Sequence, residues 1–194
     1  MKYVLLFTSL ILISGCGGNN TNSPALSKNV EGYPENSEVM EYPDTPGVTK
    51  ATIKVANNVH QEGDYLNGKR NGSWTEYHGN GVVKSITTYV AGLKQGIEIE
   101  MDDRGNIISK KYYHNDTLDG ESLLYKRGKI VEKKTYQNGS LTGLVSKYYD
   151  NGKIMEESNY TNGKIDGNAK WYDQEGNVTL EYEYSNGEFV KKIE

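Results

Sequence analysis

The residues of this 194-residue chain that could do chemistry are few and scattered: three histidines, one cysteine and two tryptophans. A metal site needs His, Cys or carboxylate ligands at short, regular spacing. His60, His78 and His114 stand at different phases of the sequence, and none has a partner at ligand spacing. Asp102-Asp103-Arg104-Gly105 and Asp173-Gln174-Glu175-Gly176 are acidic like calcium loops. They lack the alternating ligands and the closing glutamate that calcium requires, and their repeated glycine assigns them to turns. No Gly-x-Ser-x-Gly stretch and no isolated carboxylate pair points to hydrolysis. The expectation is a chain with no catalytic residue, no metal and no cofactor, and hence no enzyme. The sharper candidates are aromatic: Trp74, Tyr77, Tyr148, Trp171 and Tyr172, since ring faces stack on sugars or enclose quaternary ammonium groups.

Cys16 has its own context. Lys2 precedes an apolar run from Val4 to Ile13, the charged start and short apolar core of a signal peptide. A membrane-spanning helix needs about 20 apolar residues, so this run is too short to span. Ile13-Ser14-Gly15-Cys16 resembles the bacterial lipobox. That resemblance implies cleavage before Cys16 and a lipid on its thiol, which would anchor the mature chain to a membrane of the cell envelope. No acidic residue lies in 17–22, which favours the outer membrane in a cell that has one. The four prolines, Pro24, Pro34, Pro43 and Pro46, all fall between residues 17 and 50 without apolar periodicity. The expected organisation is a signal peptide over 1–15, a lipidated cysteine with a disordered tether over 16–50, and a repeat domain over 51–194.

Composition narrows the classes further. The 22 basic and 26 acidic residues are interspersed, for a net charge of -4, so there is no basic surface for nucleic acid. A single cysteine cannot build a disulfide framework. Sixteen tyrosines stand against two phenylalanines in a chain poor in aliphatic residues, so order must come from something other than a conventional core.

That something is repetition. Tyr65, Tyr89, Tyr113, Tyr136, Tyr160 and Tyr184 are spaced by 24, 24, 23, 24 and 24 residues. Glycine columns follow at Gly68, Gly92, Gly139, Gly163 and Gly187, at Gly72, Gly96, Gly120, Gly143 and Gly167, and at Gly81, Gly105, Gly128, Gly152 and Gly176. Asn-Gly pairs, Asn80-Gly81 and Asn151-Gly152 among them, mark hairpin turns because both residues tolerate positive φ. Segments of five to eight residues between turns have strand length. The spacing predicts an all-β fold: an elongated, single-layer antiparallel sheet of about five tandem hairpins. Val83, Ile107, Ile130, Ile154 and Val178 precede the repeat tyrosines by an even number of residues, which places both columns on one face. Lys84, Lys110, Lys133, Glu157 and Glu181 then occupy the opposite, wet face. The tyrosines are expected to stack from repeat to repeat in place of a core, with residues 57–64 and 188–194 as end caps.

Units such as Tyr136-Gln-Asn-Gly-Ser-Leu-Thr-Gly143 and Tyr160-Thr-Asn-Gly-Lys-Ile-Asp-Gly167 resemble the MORN-repeat variant found in bacterial proteins, including the YwqK-type antitoxin family. The resemblance implies a hairpin-repeat sheet and a protein partner, with a toxin-neutralising, immunity-like role. The lipobox departs from a cytosolic antitoxin. The alternative is an envelope module that binds glycans or lipid headgroups through the aromatic ladder.

Overall fold

The computed structural model describes residues 26–28 and 32–193. Cys16, the signal peptide and most of the stretch between Cys16 and Tyr33 lie outside the described residues. Fifteen strands form one antiparallel sheet whose spatial order is the sequence order. Three strands precede the repeats: β1 (Leu26–Lys28), β2 (Ser37–Glu41) and β3 (Val48–Val55). The array proper comprises β4 (Asn58–Leu66), β5 (Lys69–Tyr77), β6 (Val83–Val90), β7 (Leu93–Met101), β8 (Ile107–His114) and β9 (Thr117–Lys126). It continues through β10 (Lys129–Gln137), β11 (Ser140–Tyr148), β12 (Ile154–Thr161), β13 (Lys164–Tyr172), β14 (Val178–Ser185) and β15 (Glu188–Ile193).

The sheet therefore starts well before residue 51. Residues 26–28, 37–41 and 48–50, expected to belong to the tether, are strands, and residues 58–64 of the expected cap fall in β4, an interior strand. Pro34, Pro43 and Pro46 are compatible with this because they sit between strands: the Pro34 carbonyl accepts the Ser37 amide in a turn, and Pro43 and Pro46 lie in the β2–β3 loop. Proline is tolerated where no ladder hydrogen bond is required of it.

Two kinds of connection alternate along the ribbon. Along one edge the turns are two residues long, and both residues of Asn67-Gly68, Ala91-Gly92, Asn138-Gly139, Asn162-Gly163 and Asn186-Gly187 have positive φ. Each of these turns from Gly92 onward is tied to the hairpin before it, as in Gly163 N donating to Leu141 O at 2.8 Å. Along the other edge, loops such as 78–82 and 149–153 hold positive φ only at the glycine, so Asn80-Gly81 and Asn151-Gly152 are not two-residue hairpin turns. The 23-residue repeat is explained here. Arg127-Gly128 closes β9–β10 as a two-residue turn where neighbouring repeats use a longer loop.

Each repeat also contains two β-bulges. One follows the longer loop: Val83 pairs with Tyr77 and Ser85 with Glu76, leaving Lys84 without a ladder partner. The extra residue reverses the inward and outward alternation, so Val83 and Tyr89 lie on opposite faces. The same shift separates Ile107, Ile154 and Val178 from the repeat tyrosines. One face, here the tryptophan face, carries Trp74, Trp171 and the repeat tyrosines. The reverse face carries the pairs Tyr77–Val83, Met101–Ile107, Tyr125–Ile130, Tyr148–Ile154 and Tyr172–Val178, together with Lys110, Lys133, Glu157 and Glu181.

Stacked tyrosines do not run the length of the sheet. Equivalent tyrosines are two strands apart, roughly 9–10 Å at ordinary strand spacing, beyond the 4.5–7 Å of aromatic pairs. Among the described residues, ring contacts occur at the two ends: Tyr33–Tyr65–Trp74, and Trp171–Tyr182–Tyr184–Phe189. The space between successive tyrosines is filled from the intervening strand. Directly opposite Tyr65, Tyr89, Tyr113, Tyr136, Tyr160 and Tyr184 stand Arg70, Lys94, Leu118, Leu141, Ile165 and Phe189.

Candidate functional site

The five aromatic candidates do not form one surface. Trp74 is 3% exposed, so it serves packing. Gly63 makes room for it: a Cβ there would fall 2.5 Å from the indole. Its Nε1 donates to the Asp64 carbonyl at 2.9 Å, and its ring meets Tyr65 edge-on at 5.1 Å. Trp171 lies on the same face near the other end of the sheet, half-buried, with its ring 5.6 Å from Tyr182. Tyr77, Tyr148 and Tyr172 belong to the reverse face. There the Tyr77 hydroxyl donates to Glu62 Oε1 at 2.5 Å, and this bond with partial burial pushes the phenol up to about 12. Tyr172 repeats the device: burial, then its 3.0 Å bond to Glu157, raises its phenol.

The histidines remain apart. His60 Nε2 is 3.8 Å from Glu76, His78 Nε2 is 3.0 Å from the Met101 carbonyl, and His114 Nδ1 is 3.1 Å from Gln95 Nε2. Among the described residues no group of three His, Cys, Asp or Glu side chains could hold a metal ion. Asp102 and Asp173 act in their loops. Asp102 Oδ1 accepts the Arg104 and Asn106 amides, and Asp173 Oδ1 accepts those of Glu175 and Asn177. These contacts, led by the Asn106 and Asn177 side chains, hold both carboxyls below their ordinary range.

The residues that sequence reasoning passed over are those facing the repeat tyrosines. Over β4–β9 of the tryptophan face they build a charged network. Lys94 Nζ is 2.6 Å from Glu98, which is 7% exposed and also accepts from Thr87. Lys94 also lies 4.8 Å from the centre of the Tyr113 ring. Burial, then the Glu98 carboxylate, raises the Tyr113 phenol. Lys84 pairs with Glu76 at 2.8 Å and Lys111 with Glu100 at 3.2 Å, while Ser109 also donates to Glu100. Arg70 is sandwiched between Trp74 at 4.2 Å and Tyr89 at 5.5 Å. A depression of about 530 Å³ opens over this network, bounded by Arg70, Tyr89, Lys94 and Glu100. A signal was present, five residues after each tyrosine, where the column reads Arg, Lys, Leu, Leu, Ile, Phe.

Three segments, residues 70–91, 141–162 and 165–186, match the MORN repeat variant. Each runs from an odd-numbered strand through the longer loop and the next strand to the edge turn or its first residue. No curated protein matches the chain.

Proposed function

We propose that this chain is a non-enzymatic, lipid-anchored protein of the bacterial envelope whose repeat sheet binds another protein. The observation that carries the reading is a single-layer sheet: fifteen strands lie in one layer, with no second layer of described residues over either face. On the tryptophan face Leu118, Leu141 and Ile165 alternate with half-buried tyrosines, a row of apolar and aromatic side chains of the kind enriched at interface centres. Its resemblance to the YwqK-type family supports a toxin-neutralising, immunity-like partner relation. The resemblance of residues 13–16 to a lipobox supports attachment through Cys16, and the lack of an acidic residue over 17–22 supports an outer-membrane address where the cell has one.

Two measurements test this. Cys16→Ser should move the protein from the membrane to the soluble fraction and abolish metabolic labelling by palmitate; retention with unchanged mass refutes the anchor. Leu141→Glu with Ile165→Glu should abolish co-purification of a stoichiometric protein from detergent extracts while leaving the fold intact. Capture of the same partner by this variant refutes the surface.

A second reading, recognition of glycans or lipid headgroups, rests on the cluster of Trp171, Tyr182, Tyr184 and exposed Phe189 at the end of the sheet. Trp171→Ala should then weaken retention on cell-wall or lipid material, whereas Trp74→Ala should act through stability.

A further inference from the structure

Over strands β5–β8 the cations of the tryptophan face are matched with one exception. Lys84, Lys94 and Lys111 are each paired with a carboxylate, Glu76, Glu98 and Glu100 respectively. Arg70, half-buried among them, forms no ion pair with a described residue: its one hydrogen bond goes from Nη2 to Gln61 Oε1 at 3.0 Å. The remaining contacts of the guanidinium are the rings of Trp74 and Tyr89.

A guanidinium is a planar fork of five donors that matches a carboxylate through two parallel hydrogen bonds. Its usual cost in binding is the freezing of a long, flexible side chain. Here that cost falls on folding, since two rings fix the plane from either side and Gln61 fixes the rotation about it. Trp74 in turn is immobilised over Gly63 and by its bond to the Asp64 carbonyl. Arg70 lines the 530 Å³ depression, in which the other cations, Lys84 and Lys94, are already paired with Glu76 and Glu98.

We propose that Arg70 is an anion-binding anchor whose ligand is a carboxylate carried by an acidic segment of a protein partner. This rests on the protein-binding reading above and specifies its chemistry: an Asp or Glu side chain of the partner is received in a bidentate pair, with Tyr89 stacked alongside. Arginine and tyrosine are also enriched among the residues that dominate interface energies. At the equivalent positions Leu118, Leu141 and Ile165 offer no charge, so the acidic contact is confined to the end of the array nearest β4.

The test uses the full-length chain in detergent with Trp171→Phe, which leaves Trp74 as the single tryptophan and makes its fluorescence a reporter of the Arg70 stack. Tetraglutamate, acetylated and amidated so that only side-chain carboxylates are present, is titrated against inorganic phosphate. A saturable, salt-sensitive change with tetraglutamate is expected. Arg70→Gln should weaken it by about tenfold or more, and Arg70→Lys should also weaken it because the fork is lost. Lys110→Gln on the reverse face should leave it unchanged. Should Arg70→Gln fail to fold, the Arg70→Lys comparison decides alone. No saturable response in the Trp171→Phe protein, or equal affinity in the Arg70 variants, overturns the proposal. A response to phosphate without one to tetraglutamate overturns the carboxylate assignment. The titration needs no natural partner, so loss of co-purification with an intact tetraglutamate response would refute only the proposed protein partner.

Discussion

Between Tyr65 and Tyr113 the strand opposite each tyrosine supplies a cation, Arg70 or Lys94, whereas from Tyr113 to Tyr160 it supplies Leu118, Leu141 or Ile165. The neighbouring position follows suit. Glu98, buried beside Lys94, corresponds to Val145 beside Leu141. The reverse face changes in the opposite sense: Ile86 and Ile99 face each other near its beginning, and Lys133, Glu157, Lys170 and Glu181 occupy the same column farther on. One backbone unit thus accepts either a polar or an apolar filling, provided the side chain is long enough to span the gap between tyrosines. The difference teaches that turns and bulges set the pairing, and that the filling sets what each half can bind.

Exchanging the fillings breaks this comparison most directly. Lys94→Leu alone leaves Glu98 buried without its cation, and one-sided loss of a buried pair costs about 3–5 kcal/mol. Because Lys94 is only partly buried, a loss of about 2 kcal/mol is expected by urea denaturation. Adding Glu98→Val, which installs the Leu–Val pair of the Leu141 repeat, should recover most of it. A double variant as unstable as the single one would show that the two halves differ in backbone as well as in filling.

The reverse face offers a smaller test of what the halves share. Tyr77 keeps its proton to about pH 12 against an ordinary 10. Its folded value is raised, so the stabilisation is fully present below pH 10 and is lost as pH rises through about 12. Thermal denaturation should show that alkaline loss in the wild type, and Tyr77→Phe and Tyr172→Phe should each reduce its steepness. Equal slopes in wild type and variants would remove the tyrosine–glutamate bond from the stabilising contacts.

The smallest effect concerns Asp102 and Asp173, which build the same loop in the two halves. Their carboxyls are lowered, so their contribution is present above the ordinary aspartate range and is lost as pH falls through the lower folded value. Both are half-buried and serve only their own loops, so the expected change is local: faster amide exchange at Asn106 and Asn177 upon Asp102→Ala and Asp173→Ala respectively. Faster exchange in one loop only would show that the loops are not equivalent.

Much of the fold was legible because its determinants are local. A tyrosine every 24 residues, glycines at fixed offsets and Asn-Gly turns are short-range instructions, and Asn67-Gly68 or Asn162-Gly163 adopt the positive φ values their types permit. The candidate site was far less legible. Trp74 read as a surface aromatic is buried over Gly63, and the glycine that admits it belongs to no repeat column. Arg70 became visible only once Tyr65 and Tyr89 were seen to flank its strand.

By itself, then, the sequence determined the strand and turn grammar of the array, since alternation and turn preference act over a few residues. The tertiary structure alone decided which columns share a face. A single unpaired residue, Lys84 in β6 or Ile108 in β8, inverts every side chain beyond it, and no residue type announces where that residue will stand. It also decided that β1–β3 extend the sheet, because their pairing is fixed by strands already in place and not by any repeat they carry.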